Sequence, residues 1–192
     1  LEEKLYPWCL LEYKHISQIV GRKNLMFTGI KSAQKVKLKQ FGEVENKSVL
    51  DLNLDEACFL DLEAKKELSP EDKFDYLVFG GILGDYPPRQ RTAEWLAGRK
   101  VETRNLGKVQ MATDTAVYVA KKIIEGKRLS EIKFLDELHL ATGKGEEVIL
   151  PYRYVLEKGK PVLAKGFLQF VKKNGFRTCM VHSFIYSKKL LS

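Results

Sequence analysis

The sequence predicts an α/β domain built on a mostly parallel sheet with helices on both faces. Three observations carry that reading. Short apolar runs alternate with helix-length segments along the chain, as repeated strand–helix units require. One run, "FDYLVFGG" (Phe74 to Gly81), is apolar without alternation, the pattern of a strand covered on both faces. And "ATDTAVYVAKKIIEGK" places Ala116, Val119, Ala120, Ile123 and Ile124 on one stripe at helical spacing.

The elements follow in order. "PWCLLEYKHISQIVG" reads as a helix, with Pro7 suited to the first turn, Gly21 to the C-terminal cap, and Leu10, Ile16, Ile19 and Val20 as its buried face. "NLMFTGI" (24–30) is a strand. "KSAQKVKLKQFGEVENKS" is polar and poorly periodic, and reads as a surface excursion. "ACFLDL" (57–62) is a second strand, "LSPEDKFD" a turn, and "FDYLVFGG" the buried strand. "RTAEWLAG" is a short helix ending at Gly98, and "KVETRNLG" (100–107) a strand. The helix after it is capped by Thr113 or Asp114 and ended by Gly126. "EIKFLDEL" is a strand, and "EEVILPYRYVLEKGKPVL" a hairpin turning at Lys158-Gly159, with arms 148–156 and 161–163. A last helix runs through "KGFLQFVKKNGF".

The 192 residues suffice for one domain with a core. No apolar run reaches the ~18 residues of a membrane span, and no secretory leader pattern is visible. Three cysteines, Cys9, Cys58 and Cys179, are odd in number and far apart, which argues against a disulfide framework and fits a reducing, cytoplasmic setting. Without C-x-x-C or H-E-x-x-H, and with three scattered histidines, no metal site is expected. The net charge of +8 is confined to the C-terminal segment: no acidic residue follows Glu157, whereas Lys158, Lys160, Lys165, Lys172, Lys173, Arg177, Lys188 and Lys189 do. Such a segment is either a solvated face with a tail or a contact with RNA.

Two loops stand out at expected strand ends, where open α/β sheets bind ligands. "FGGILGDYPPRQR" has three glycines that permit positive φ and close backbone approach, then Pro87 and Pro88, which fix two φ angles and push Tyr86 extended. "RNLGKVQMATDTA" leads from Gly107 to a helix N-terminus at Asp114, whose free N–H groups can hold ligand oxygens. Each alone also fits an ordinary turn or cap. Phosphate-loop, dinucleotide and hydrolase-elbow spacings are missing: "GILGD" and "TGKGEE" fail the motifs they superficially suggest.

"FDYLVFGGILGDYPPRQRT", "LGKVQMATDTA", "IKFLDE" and "LPYRYVLEKGKPVL", in that order, resemble the SPOUT-class methyltransferases of the yeast protein-arginine methyltransferase type. The likeness runs from about residue 1 to about residue 176, giving a single domain, 1–176, followed by a basic tail, 177–192. It implies a deep C-terminal trefoil knot, S-adenosylmethionine as cofactor, an arginine of a small-subunit ribosomal protein as acceptor, and a monomer. By that resemblance Phe79, Gly80, Gly81, Leu83 and Gly84 line the cofactor pocket, closed from the other side by Leu106, Gly107, Gln110, Met111, Thr113 and Asp114. Glu12 and Asp85 are the acceptor-side catalytic carboxylates, and Arg89 and Arg91 bind substrate or the cofactor's carboxylate. The chain departs from the family pattern in three places: the family's opening strand is expected to be missing, Tyr86 stands where His is frequent, and the stretch after Phe176 matches nothing in the pattern. RNA methylation with the same cofactor, and a catalytically impaired binding module, are the alternatives.

Overall fold

Side chains alternate along the central strands and divide the core in two. Cys58, Leu60, Leu77 and Phe79 face a large cluster, while Phe59 and Val78 face a smaller one built on Val49. The computed structural model describes residues 7–30, 32–80, 101–141, 147–174 and 184–187.

The first helix, α1 (Pro7–Val20), starts at its proline and ends where Gly21, at φ 83°, donates its N–H to Ser17 O at 2.9 Å. Its buried face is Trp8, Cys9, Glu12, Tyr13, Ile16 and Val20; Leu10 and Ile19, expected there, are only partly buried. A carboxylate thus sits among apolar residues on the inward face. Strand β1 (Leu25–Phe27) follows. The supposed surface excursion contains helix α2 (Ser32–Leu38) and strand β2 (Glu43–Val44), with Gln34 and Leu38 buried. It escapes notice because a single apolar anchor, Leu38, holds the helix while Val36 is 80% exposed.

Strands β3 (Ala57–Leu60), β4 (Tyr76–Phe79) and β5 (Glu102–Arg104) are parallel, with Leu60 opposite both Phe79 and Arg104. Their carboxyl ends therefore lie side by side. The turn before β4 is tied down by Arg104, which is buried against the Phe74 ring and donates to Asp72 at 2.8 Å and Glu102 at 3.0 Å. Helix α3 (Thr113–Ile124) packs along α1 and buries Ala116, Val117, Val119, Ala120 and Ile123. Each fully buried aliphatic or aromatic side chain here, such as Ile16 or Phe79, stabilises the fold by roughly 1.5–3 kcal/mol.

Beyond α3, β6 (Phe134–Leu135) leads into β7 (Leu138–Ala141), which pairs antiparallel with β8 (Glu147–Leu150). After Pro151 the chain enters β9 (Tyr154–Glu157), which pairs with β6 and with β10 (Lys160–Pro161). The expected turn at Lys158-Gly159 is present, both at positive φ, but the expected first arm is two strands in two sheets. Helix α4 (Phe167–Asn174) follows.

The main sheet has the order β2-β1-β11-β4-β3-β5, where β11 (Phe184–Ser187) comes from the segment set apart as a tail. It runs antiparallel to both neighbours, β1 and β4, so five parallel strands accommodate one reversed strand between them. The described α-helices that join the core do so on the large-cluster face. Across the sheet, the described cover is the single turn Val49–Asp51 and the chain to Leu54. The helix expected in "RTAEWLAG" lies outside the described residues. So do Gly81, Leu83, Gly84, Asp85, Arg89 and Arg91. Cys9 is disulfide-bonded, against the expectation from cysteine spacing, whereas Cys58 is a free thiol that burial pushes up to about 12.

Candidate active site

Backbone tethers build the site at the carboxyl ends of β3, β4 and β5. Asn105, just past β5, accepts from Gly107 N–H at 2.9 Å and donates to Ala64 O at 2.8 Å. Its own backbone bonds Lys66 O and Leu68 N–H. Lys108 Nζ reaches Leu62 O at 3.2 Å. Two side chains and the Asn105 backbone thus hold residues 61–68 against residues 105–108. Between them opens a shallow cleft lined by Leu60, Asp61, Leu62, Leu106, Gly107, Val109, Gln110, Met111 and Ala116. Four of the residues assigned to the cofactor by resemblance, Leu106, Gly107, Gln110 and Met111, lie on this wall. Phe79 and Gly80 are buried at the neighbouring strand end. Asp61 and Leu62 were not anticipated, although a strand's carboxyl end is where such residues belong.

The cleft floor is set by backbone conformation. Gly107 has φ 94°, and a Cβ there would stand 3.4 Å from Leu129 Cδ2 and 3.7 Å from Arg153 Nη1. Space would allow a side chain; the dihedral does not favour one. Gln110 O accepts from Arg153 N–H at 2.8 Å, which fixes the path into α3.

The start of α3 differs from the expectation. Its N-cap is Ala112, with no side-chain cap, and neither Thr113 nor Asp114 caps the helix. Asp114 lies inside the first turn, where one carboxylate oxygen accepts from Thr115 N–H at 2.8 Å and the other faces His15 Nδ1 at 2.7 Å. Thr113, Asp114 and Thr115 are all buried, and Thr115 Oγ1 has no hydrogen-bond partner among the described residues. An orphaned hydroxyl and an uncapped helix start beside an apolar cleft suit a ligand with a flat ring and several polar atoms.

Glu12 faces the same helix start from α1. It is 5% exposed and has no hydrogen-bond partner among the described residues. Burial, with Asp114's charge adding to it, pushes its carboxyl well above the usual carboxylate range. Tyr154, on β9, is pushed up by burial first and then by the charges of Asp114 and Glu12. The structure brings Glu12, Asp114 and His15 together; His15 was missed because nothing in "EYKHIS" distinguishes it, beyond its place one turn after Glu12.

A sequence model described as "Protein arginine N-methyltransferase SFM1-like" matches residues 1–177. The chain belongs to the SFM1-like family. Protein arginine N-methyltransferase SFM1 of Saccharomyces cerevisiae is 38% identical over 196 residues, covering 91% of this chain and 92% of that protein. The crystal structure of the yeast arginine methyltransferase SFM1 complexed with SAM superposes with a TM-score of 0.81 at 37% identity, over 91% of this chain and 88% of that one. The structure complexed with SAH gives 0.79 at 36% identity, over 90% and 92%. This SFM1-like chain is thus similar to those proteins over nearly its whole length. Among its described residues no group of three or more His, Cys, Asp or Glu side chains is placed to hold a metal ion. No described helix is long and apolar enough to cross a membrane.

Proposed function

We propose that this chain is an S-adenosylmethionine-dependent protein-arginine N-methyltransferase whose acceptor is an arginine of a small-subunit ribosomal protein. One observation carries the acceptor class: Glu12, a buried carboxylate without a hydrogen-bond partner among the described residues, set beside a second carboxylate, Asp114. An uncompensated carboxylate in the interior is costly, and a guanidinium is the planar, always-charged group that two carboxylate oxygens fit best. A phosphate backbone would be repelled by the same pair.

S-adenosylmethionine, when bound, supplies a methyl group on a cationic sulfur that leaves as a neutral thioether. The cleft residues Leu60, Leu106 and Met111 offer apolar contact for its ring, Gly107 offers bare backbone, and Thr115 Oγ1 an unused polar atom. Phe79, Gly80, Gly81, Leu83 and Gly84 line the cofactor pocket from the other side in this reading. Glu12 holds the acceptor guanidinium by hydrogen bonds and takes a proton as the new N–C bond forms, with Asp85 as its partner on the substrate side. Arg89 and Arg91 bind substrate or the cofactor's carboxylate. We place the knot of the SPOUT class in the C-terminal half, the protein in the cytoplasm, and the working unit as a monomer. The basic segment after Glu157 supports a second reading, contact with ribosomal RNA during the reaction.

Incubation with methyl-labelled S-adenosylmethionine and ribosomal extract tests the reading. Label is expected in the protein fraction; label confined to RNA would make the RNA-methyltransferase reading correct, and failure to bind S-adenosylmethionine in a calorimeter would reject both.

A further inference from the structure

The charge state of the acceptor carboxylates deepens the arginine reading and rests on it. Glu12 and His15 stand three residues apart on α1 and so share a face. His15 Nδ1 meets Asp114 Oδ2 at 2.7 Å, and Asp114's other oxygen is taken by Thr115 N–H. That leaves Glu12 without a counterion among the described residues. Of the elements around the cluster, α3 contributes Asp114, and β9 contributes the Tyr154 phenol with Tyr152 near it. Helix α4, which also packs on α1, carries only the exposed Lys172 and Lys173. Among the described residues no lysine or arginine pairs with Glu12, Asp114 or His15.

A buried carboxylate with no paired cation must be neutral in the empty site or face a cation in the occupied one. We propose that Glu12 holds a proton when the acceptor is absent, and that an arriving guanidinium displaces it, so that the carboxylate is charged only in the substrate complex. The exchange balances: the Glu12 O–H bond breaks with its electrons left on oxygen, one proton reaches solvent, and one cation takes its place. The raised Glu12 carboxyl is consistent with this. A neutral acceptor cannot drive the exchange, so the site selects cations before any chemistry begins.

Infrared difference spectroscopy of the intact protein, with L-arginine amide as probe, tests it. At pH 7 the wild type should show a protonated-carboxyl band that is missing from Glu12→Gln. Saturation with L-arginine amide should abolish the band, and calorimetry in two buffers of different ionisation heat should count about one proton released. A wild type with no such band, or a band that persists in the saturated complex, overturns the proposal. L-arginine amide that fails to bind a protein which binds S-adenosylmethionine contradicts the arginine reading itself.

Discussion

Glu12 sets stability against function. Its carboxyl ionises near the ordinary value of about 4.3 in the unfolded chain and well above it in the fold. Between those two values the native state binds more protons than the unfolded state, so stability falls as pH rises through that window. The slope is at most about 1.4 kcal/mol per pH unit for one proton. Urea titrations across pH should show this decline in the wild type and a flatter profile in Glu12→Gln. The same variant should bind S-adenosylmethionine normally while losing methyl transfer. At Gly107 the strain is conformational: φ 94° makes Gly107→Ala cost roughly 1–2 kcal/mol and weaken cofactor binding, measurable in one urea series and one calorimetric titration. Gly107 was legible, since a glycine between a strand and a helix start is a local signal. The environment of Glu12 was not. Family likeness pointed to the residue, but glutamate on a helix is ordinarily solvated, and only the packing of α1 on α3 puts this one inside.

Among elements, the loop pair at 61–68 and 105–108 matters most for the cofactor, and Asn105 is its fastener. Asn105→Ala removes the bonds to Ala64 O and Gly107 N–H and should cost roughly 1–3 kcal/mol in urea unfolding. If the cleft depends on this tether, affinity for S-adenosylmethionine falls as well; unchanged affinity would show that residues 61–68 do not hold the ligand. The strands β3 and β4 and the helices α1 and α3 were readable because each carries a dense apolar face. Helix α2 was not, with Leu38 as its single apolar anchor and Gln34 buried beside it. The segment 147–161 misled for another reason: Pro151 splits one apolar run between β8 and β9, and no periodicity reveals that two adjacent strands enter different sheets.

At the scale of the whole molecule, the order β2-β1-β11-β4-β3-β5 depends on pairings between residues far apart in sequence. Phe184 meets Phe27 on one side and Phe79 on the other, which no local pattern encodes. A chain ending at residue 177 removes β11 and leaves β1 and β4 with unpaired ladders at the middle of the sheet. Against a typical total stability of about 5–15 kcal/mol, such a loss should abolish cooperative unfolding or leave a strongly destabilised, aggregating protein. A truncated chain as stable as the full one would mean that β11 does not hold the sheet together. The site is arranged on the opposite principle. Its cleft and its carboxylates sit at the parallel strand ends and at the α1–α3 contact, and the excess positive charge of the chain lies after Glu157. The most direct test of the account is therefore the chemical identity of the methylated residue. Mass spectrometry of the ribosomal protein labelled by the wild type should place the methyl group on an arginine side-chain nitrogen, with the product missing when Glu12→Gln replaces it; a methyl group on another residue type, or undiminished product from Glu12→Gln, would contradict it.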